Sequence, residues 1–343
     1  MQMVTYGRNR NEMRSTISPW RRLALDHLHE SIPELLFIPM NPVPQPAMEK
    51  DNPAPEWFQR AIASPFEDCF VTVDGCRIHY LRWGRLGKPG LLLVHGGFAH
   101  AHWWDFIAPF FAEDYRVAAL DLSGMGDSGR REKYTAQNFA NEVISVCGDA
   151  GFGEPPVLVG HSFGGFVVLK AAALSQKPLG GVVIVDFPIR PPPLQKEHEA
   201  KRPLVRRKET YSNLEVALSR FRLIPAQPCD NQFILNHIAR HSLARLDAGW
   251  NWKFDDHLFD DFELGNIPET LTQAKHPLAV IYGENSALFS PEIISYMSGL
   301  LGPNVPFVTM KSAHHHLFLE QPLEFVALIK NLLVQWKRLA GPN

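Results

Sequence analysis

Val157-Leu-Val-Gly160-His161-Ser162-Phe163-Gly164-Gly165-Phe-Val-Val-Leu-Lys170 reads as a short buried strand, a tight turn and the start of an apolar helix. The turn carries Gly-x-Ser-x-Gly, with Ser162 at its tip. A serine on so sharp a strand-to-helix turn holds its hydroxyl above the end of a sheet, and flanking glycines relieve clashes that a Cβ would create. A glycine-bounded turn without chemistry fits the same letters, so the reading depends on finding partners for Ser162.

Working outward, strand and helix signals alternate on both sides of this stretch. Phe70-Val-Thr-Val, Asp74-Gly75 and Arg77-Ile-His-Tyr-Leu-Arg-Trp83 predict a hairpin with an Asp-Gly turn. Leu91-Leu-Leu-Val94 is continuously apolar, as strands covered on both faces are, and runs into His95-Gly-Gly-Phe98. A helical segment is expected around Trp103 to Phe111. The strand Arg116-Val-Ala-Ala-Leu120 then leads into Asp121-Leu-Ser-Gly-Met-Gly-Asp-Ser128. Residues 136–150 suit a helix, Gly181-Val-Val-Ile-Val185 a strand ending at Asp186, and His276–Gly283 and Val305–Met310 the last two strands. Pro322 suits a first helical position, and Phe325, Leu328, Leu332 and Trp336 follow at helical spacing. Such alternation predicts an α/β protein with a mostly parallel sheet and helices on both faces.

His95-Gly-Gly-Phe98, Asp121–Ser128, Gly160-His-Ser-Phe-Gly164 and His314-His-His-Leu-Phe-Leu-Glu-Gln-Pro322 stand in the order found in the α/β-hydrolase superfamily. The chain resembles that superfamily over roughly residues 55–190 and 275–340. The resemblance implies the α/β-hydrolase fold, with a helical cap inserted after the sixth strand. The expected divisions are an N-terminal extension (1–54), the first part of the core (55–186), the cap (187–276) and the second part of the core (277–343). Within the cap, Ser212-Asn-Leu-Glu215 looks like a capping box ahead of a helix reaching Phe221, and a second helix is expected over Phe233–Leu246. Trp103 and the cap aromatics Phe221, Trp250 and Trp252 are candidates for the pocket lining, although aromatic side chains also serve as plain core.

A serine hydroxyl needs a histidine to take its proton and a carboxylate to orient that histidine. In the family pattern the histidine precedes the acid of the closing acid-x-Pro by five positions, which points from Glu320 to His315. A metal site in the tract His314–His316 is the rival reading, but consecutive side chains diverge, and no cysteine or carboxylate stands at ligand spacing. The family's usual acid position, three residues after Gly283, holds Ser286. Asp186, at the sixth strand's end, is therefore expected to supply the acid, with Glu284 as the alternative and a purely structural role for Asp186 also open. The backbone N–H of Phe163, and that of Gly97 or Phe98, are the expected oxyanion donors. His95, Asp121, Asp127 and Ser128 fit a loop scaffold better than chemistry.

Relatives that open epoxides or remove halides place an aspartate where this chain has Ser162, and epoxide hydrolases carry two cap tyrosines where this cap has Tyr211 alone. The resemblance therefore implies cofactor-independent serine chemistry on a small to medium carboxylic ester or related acyl compound. Hydrolysis of a C–C bond, a lyase reaction, and a small-ligand receptor with little turnover are the alternatives. No metal is expected.

Composition sets the outer limits. The 343 residues are 45% hydrophobic and 20% charged with a net charge of −2, which argues against a nucleic-acid or anionic-membrane partner. No apolar run approaches the roughly eighteen residues that span a bilayer. Cys69, Cys76, Cys147 and Cys229 show no metal spacing and suit a reduced, cytoplasmic protein, with a Cys69–Cys76 bridge as the other option. Residues 1–22 hold five arginines (8, 10, 14, 21 and 22) against the single acid Glu12. That pattern suits either an organelle-targeting segment or an extension wrapped on the domain.

Overall fold

The computed structural model describes residues 54–200 and 209–339. The extension, up to residue 53, and the basic stretch 201–208 lie outside the described residues. Ten strands follow in chain order: β1 Glu67–Val73, β2 Cys76–Trp83, β3 Pro89–Val94, β4 Arg116–Leu120, β5 Glu154–His161, β6 Gly181–Val185, β7 Leu243–Leu246, β8 Gly249–Trp252, β9 Leu278–Gly283 and β10 Phe307–Met310. Eight form one sheet in the order β1-β2-β4-β3-β5-β6-β9-β10, in which β2 alone runs against the rest. The sheet is the mostly parallel one that the alternating pattern predicts.

Local chemistry explains the main elements. β1 and β2 are joined by Asp74 and Gly75, both at positive φ (48° and 76°), the geometry that matches the twist of a two-residue hairpin. Cys69 opposes Tyr80 and Cys76 opposes Val73 in that hairpin, and all four cysteines are free, so the Cys69–Cys76 bridge is not formed. β3 is buried along nearly its whole length because helices cover both sides. Leu91 and Leu93 face a layer with Trp104 and Phe325, while Leu92 and Val94 face one with Phe139 and Phe166. Helix α1 is Glu56–Ile62; α2, Ala136–Asp149, starts at Thr135, whose hydroxyl accepts the N–H of Asn138 at 3.1 Å. Helix α3 is Phe163–Leu174. The helix expected over Trp103–Phe111 is instead two single 3-10 turns, Ala101–Trp104 and Ala108–Phe111. Trp104 in the first of them stacks on Phe318 at 4.5 Å and is fully buried.

Between β6 and β9 the chain leaves the sheet. This insertion holds α4 Pro192–Ala200, α5 Leu214–Ser219, α6 Gln232–His241, the β7–β8 hairpin and α7 Ile267–Gln273. The cap of α5 is Asn213 rather than Ser212: its side-chain oxygen accepts the N–H of Val216 at 2.9 Å, and the helix stops at Ser219, short of Phe221. The single helix expected over Phe233–Leu246 divides at Ser242, because residues 243–246 pair with 249–252 instead. After β9 come α8 Pro291–Leu301, β10, the single turn α9 Leu317–Glu320 and α10 Pro322–Leu339. Helix α10 buries Phe325 and Leu332, with Leu328 and Trp336 partly covered. Among the described residues no helix is long and apolar enough to cross a membrane.

Candidate active site

Strand β5 ends at His161 and α3 begins at Phe163, leaving Ser162 alone on the turn with φ 52° and ψ −122°. Its N–H donates to Val185 O at 2.8 Å and its carbonyl accepts from Gly165 N at 2.8 Å, so the strained backbone is pinned from both sides. The flanking glycines are close approaches. A Cβ on Gly160 would stand 2.2 Å from Gly164 O, and one on Gly164 would stand 2.5 Å from the carbonyl oxygens of Val94 and His95.

The loop between β10 and α9 brings His315 to this turn. Its Nε2 lies 3.0 Å from Ser162 Oγ and its Nδ1 lies 2.8 Å from Asp186 Oδ1. Asp186 is fully buried at the end of β6, itself at positive φ (48°). Its Oδ2 accepts from Gly283 N at 2.8 Å, and its Oδ1 also accepts from Ser286 Oγ at 2.7 Å. The serine in the family's usual acid position thus donates to the carboxylate that faces His315. Glu284 turns elsewhere: it accepts from Lys311 Nζ at 2.6 Å and Ser312 N at 2.9 Å, contacts that hold its carboxyl below the usual carboxylate range. His314 also points away, its Nδ1 2.7 Å from Glu320 Oε1.

A narrow cavity of about 50 Å³ opens over Ser162, bounded by Gly96, Gly97, Trp103, His316 and, from the insertion, Phe221 and Ile224. Of the candidate pocket aromatics, Trp103 and Phe221 line this cavity. Trp250 and Trp252 do not: half-buried in the β7–β8 hairpin, they pack with Tyr211 and Leu243 into a small cluster of the insertion's own. Of the candidate oxyanion donors, Phe98 N–H is engaged by Met125 Sδ at 3.2 Å. The N–H groups of Gly97 and Phe163 have no hydrogen-bond partner among the described residues. His95 lies under the turn, where its Nε2 accepts from Leu122 N at 3.1 Å; burial lowers its pKa. Asp121 accepts from Ala101 N, Asp127 N and His79 Nδ1, and Ser128 donates to its carbonyl, which is the scaffold expected of this loop.

Two further histidines belong to the site. His161, the residue before Ser162, places Nε2 3.0 Å from the carbonyl oxygen of His315 and so fixes that loop. His316 is buried against the cavity, and neither ring nitrogen has a partner among the described residues. Burial and the neighbouring His315 push the pKa of both well below the usual histidine value, so each is neutral near pH 7. One ring nitrogen from each of His161, His315 and His316 lies within 4.8 Å of the others, so these three, rather than the tract 314–316, are the residues here that could hold an ion.

A sequence profile described as the alpha/beta hydrolase family matches residues 91–328, a span from β3 into α10. The chain belongs to the alpha/beta hydrolase family. Among individual relatives, human (Homo sapiens) epoxide hydrolase 4 is 29% identical over 150 residues, covering 42% of this chain. The aligned stretch spans only 41% of that relative's length. Esterase Rv0045c of Mycobacterium tuberculosis is 25% identical over 271 residues, covering 76% of this chain and 88% of the esterase. In three dimensions the fold is similar to the crystal structure of E-2-(acetamidomethylene)succinate hydrolase, with a TM-score of 0.67, 19% identity, and coverage of 78% of this chain and 98% of that one.

Proposed function

We propose that this hydrolase cleaves a small to medium carboxylic ester or related acyl compound through an acyl-enzyme on Ser162. The observation that carries the reading is the continuous path Ser162 Oγ–His315 Nε2, His315 Nδ1–Asp186 Oδ1, at 3.0 and 2.8 Å. With its Nδ1 proton donated to Asp186, His315 presents the Nε2 lone pair to the serine hydroxyl. Nε2 takes that proton as Oγ attacks the acyl carbon, and the negative charge gathers on the former carbonyl oxygen. The unengaged N–H groups of Gly97 and Phe163 are suited to receive it. His315 then returns the proton to the leaving alcohol, activates a water by the same route, and the acid departs from Ser162. Every proton in the cycle is carried by this chain's own groups and water.

Similarity to the esterase supports the ester class, whereas the likeness to epoxide hydrolase 4 does not extend to an epoxide mechanism. An aspartate nucleophile is replaced by Ser162, and Tyr211 sits in the hairpin cluster away from the cavity. We read the insertion as the cap that selects the substrate, through Phe221 and Ile224. The test is labelling by a fluorophosphonate probe alongside turnover of p-nitrophenyl esters of increasing acyl length. Ser162→Ala should abolish labelling and lower turnover by on the order of thousands-fold or more, with an unchanged far-UV spectrum. Undiminished turnover in that variant would overturn the serine mechanism, and saturable ligand binding without turnover by the unaltered protein would point to a receptor.

A further inference from the structure

A second polar cluster, separate from Ser162, joins the insertion to the core. His102 lies in the 3-10 turn Ala101–Trp104, and Asp105 follows it directly. Facing them, His237 and His241 stand four residues apart on α6 and hence on one face of that helix. His102 Nδ1 and His237 Nε2 both lie 2.8 Å from Asp105 Oδ2. The His102 and His241 rings stack at 3.9 Å, and those of His237 and His241 are 4.6 Å apart. One ligand atom from each of His102, Asp105 and His241 falls within 4.8 Å of the others.

We propose that His102, Asp105, His237 and His241 bind a first-row divalent transition ion, with zinc the best match, clamping α6 to the core. Asp105 is 6% exposed, and its second oxygen, Oδ1, is buried with no hydrogen-bond partner among the described residues. A carboxylate placed so deep, with one oxygen shared by two imidazoles and the other undonated, is a site that a cation completes. The donor set of three imidazoles and one carboxylate, without a thiol, selects zinc, cobalt or nickel over magnesium and calcium, which prefer oxygen. Around a tetrahedral ion with bonds of about 2.1 Å, neighbouring donors stand roughly 3.4 Å apart. His102, Asp105 and His241 already converge, so seating the ion spreads the Asp105 contacts by about half an ångström, turns the stacked His241 ring towards Asp105 and draws His237 in to complete the four. His241 is partly exposed, which supplies the entry path. The adjacent His100 is already committed to Ser242 Oγ at 2.8 Å and stays outside the set.

The test uses the full chain, stripped with chelator and titrated with cobalt(II) alone, then competed with zinc. One equivalent should give the visible absorption of tetrahedral cobalt. Zinc at about a hundredfold over its Kd should raise the Tm by roughly 5 °C. His241→Ala and Asp105→Asn should each weaken binding at least tenfold, whereas His316→Ala should leave it unchanged. If Asp105→Asn does not fold, His241→Ala at the partly exposed edge decides alone. No cobalt spectrum and no Tm shift would overturn the proposal. So would a spectrum retained in His241→Ala but lost in His316→Ala, since that would place the ion beside Ser162.

Discussion

Replacing Asp186 by asparagine removes the charge that faces His315 Nδ1 and leaves the imidazole free to adopt the wrong tautomer. We expect ester turnover to fall by up to roughly ten-thousand-fold, whereas Glu284→Gln, at a carboxylate spent on Lys311 and Ser312, should cost less than about tenfold. Steady-state kinetics of the two variants decide the matter, and the opposite ranking would move the acid to Glu284. Ser286→Ala is a subtler probe. It deprives Asp186 Oδ1 of its hydroxyl donor, a bond to a charged group worth about 1.5–3 kcal/mol, and denaturant unfolding should register a loss of that order. The residue scale also marks where sequence reading stops. Gly283–Ser286 shows that the usual acid position lacks a carboxylate. That Asp186 faces His315 depends on β6 lying beside β9 with Val185 opposite Ile281, a pairing that only the assembled sheet displays. The part of Ser286 as a donor to that acid has no sequence signal at all.

Among the elements, the turn after β5 is the least tolerant. A methyl group on Gly164 would meet two carbonyl oxygens of the β3 end at 2.5 Å, and backbone cannot swing aside as a side chain can. Gly164→Ala should therefore lose both turnover and several degrees of Tm, readable by differential scanning calorimetry. Thr135→Ala offers a milder comparison: losing the α2 cap should cost about 1 kcal/mol and leave turnover intact. The strands and long helices of the core were legible because a buried parallel strand is continuously apolar and an amphipathic helix is periodic. The insertion was harder to read for a physical reason. Residues 243–246 continue a helical pattern, but pairing with 249–252 outweighs local propensity, and the aromatic residues Trp250 and Trp252 then fill their own small cluster instead of the pocket.

Taken whole, the molecule closes a cavity of about 50 Å³ over Ser162, whereas pockets for small ligands commonly run to several hundred. Turnover of anything beyond the smallest acyl group then requires Phe221 and Ile224 to draw back. Trimming them should shift selectivity: Phe221→Ala and Ile224→Ala are expected to raise kcat/KM for an eight-carbon acyl ester relative to a two-carbon one by about tenfold, as several methylenes gain room. An unchanged ratio in both variants would mean that the insertion does not set acyl length. The histidine–aspartate cluster lies at the same junction of insertion and core, so zinc should slow the opening if the ion clamps α6.

The position of Asp186 has one more consequence. The chain departs from the sheet immediately after this residue and returns on β9, the strand next to β6, with Asp186 N–H donating to Ile281 O at 2.8 Å. Because β6 and β9 run parallel, the excursion must also cross the sheet: it leaves beside Ile281 and re-enters at Leu278, opposite Val182. Doubling the length of such a loop adds only about 0.6 kcal/mol of closure entropy. The stretch can therefore be lengthened at little entropic cost wherever it keeps two things: the crossover that lays β9 beside β6, and the grip of Gln227 Oε1 on His316 N at 2.7 Å, next to His315.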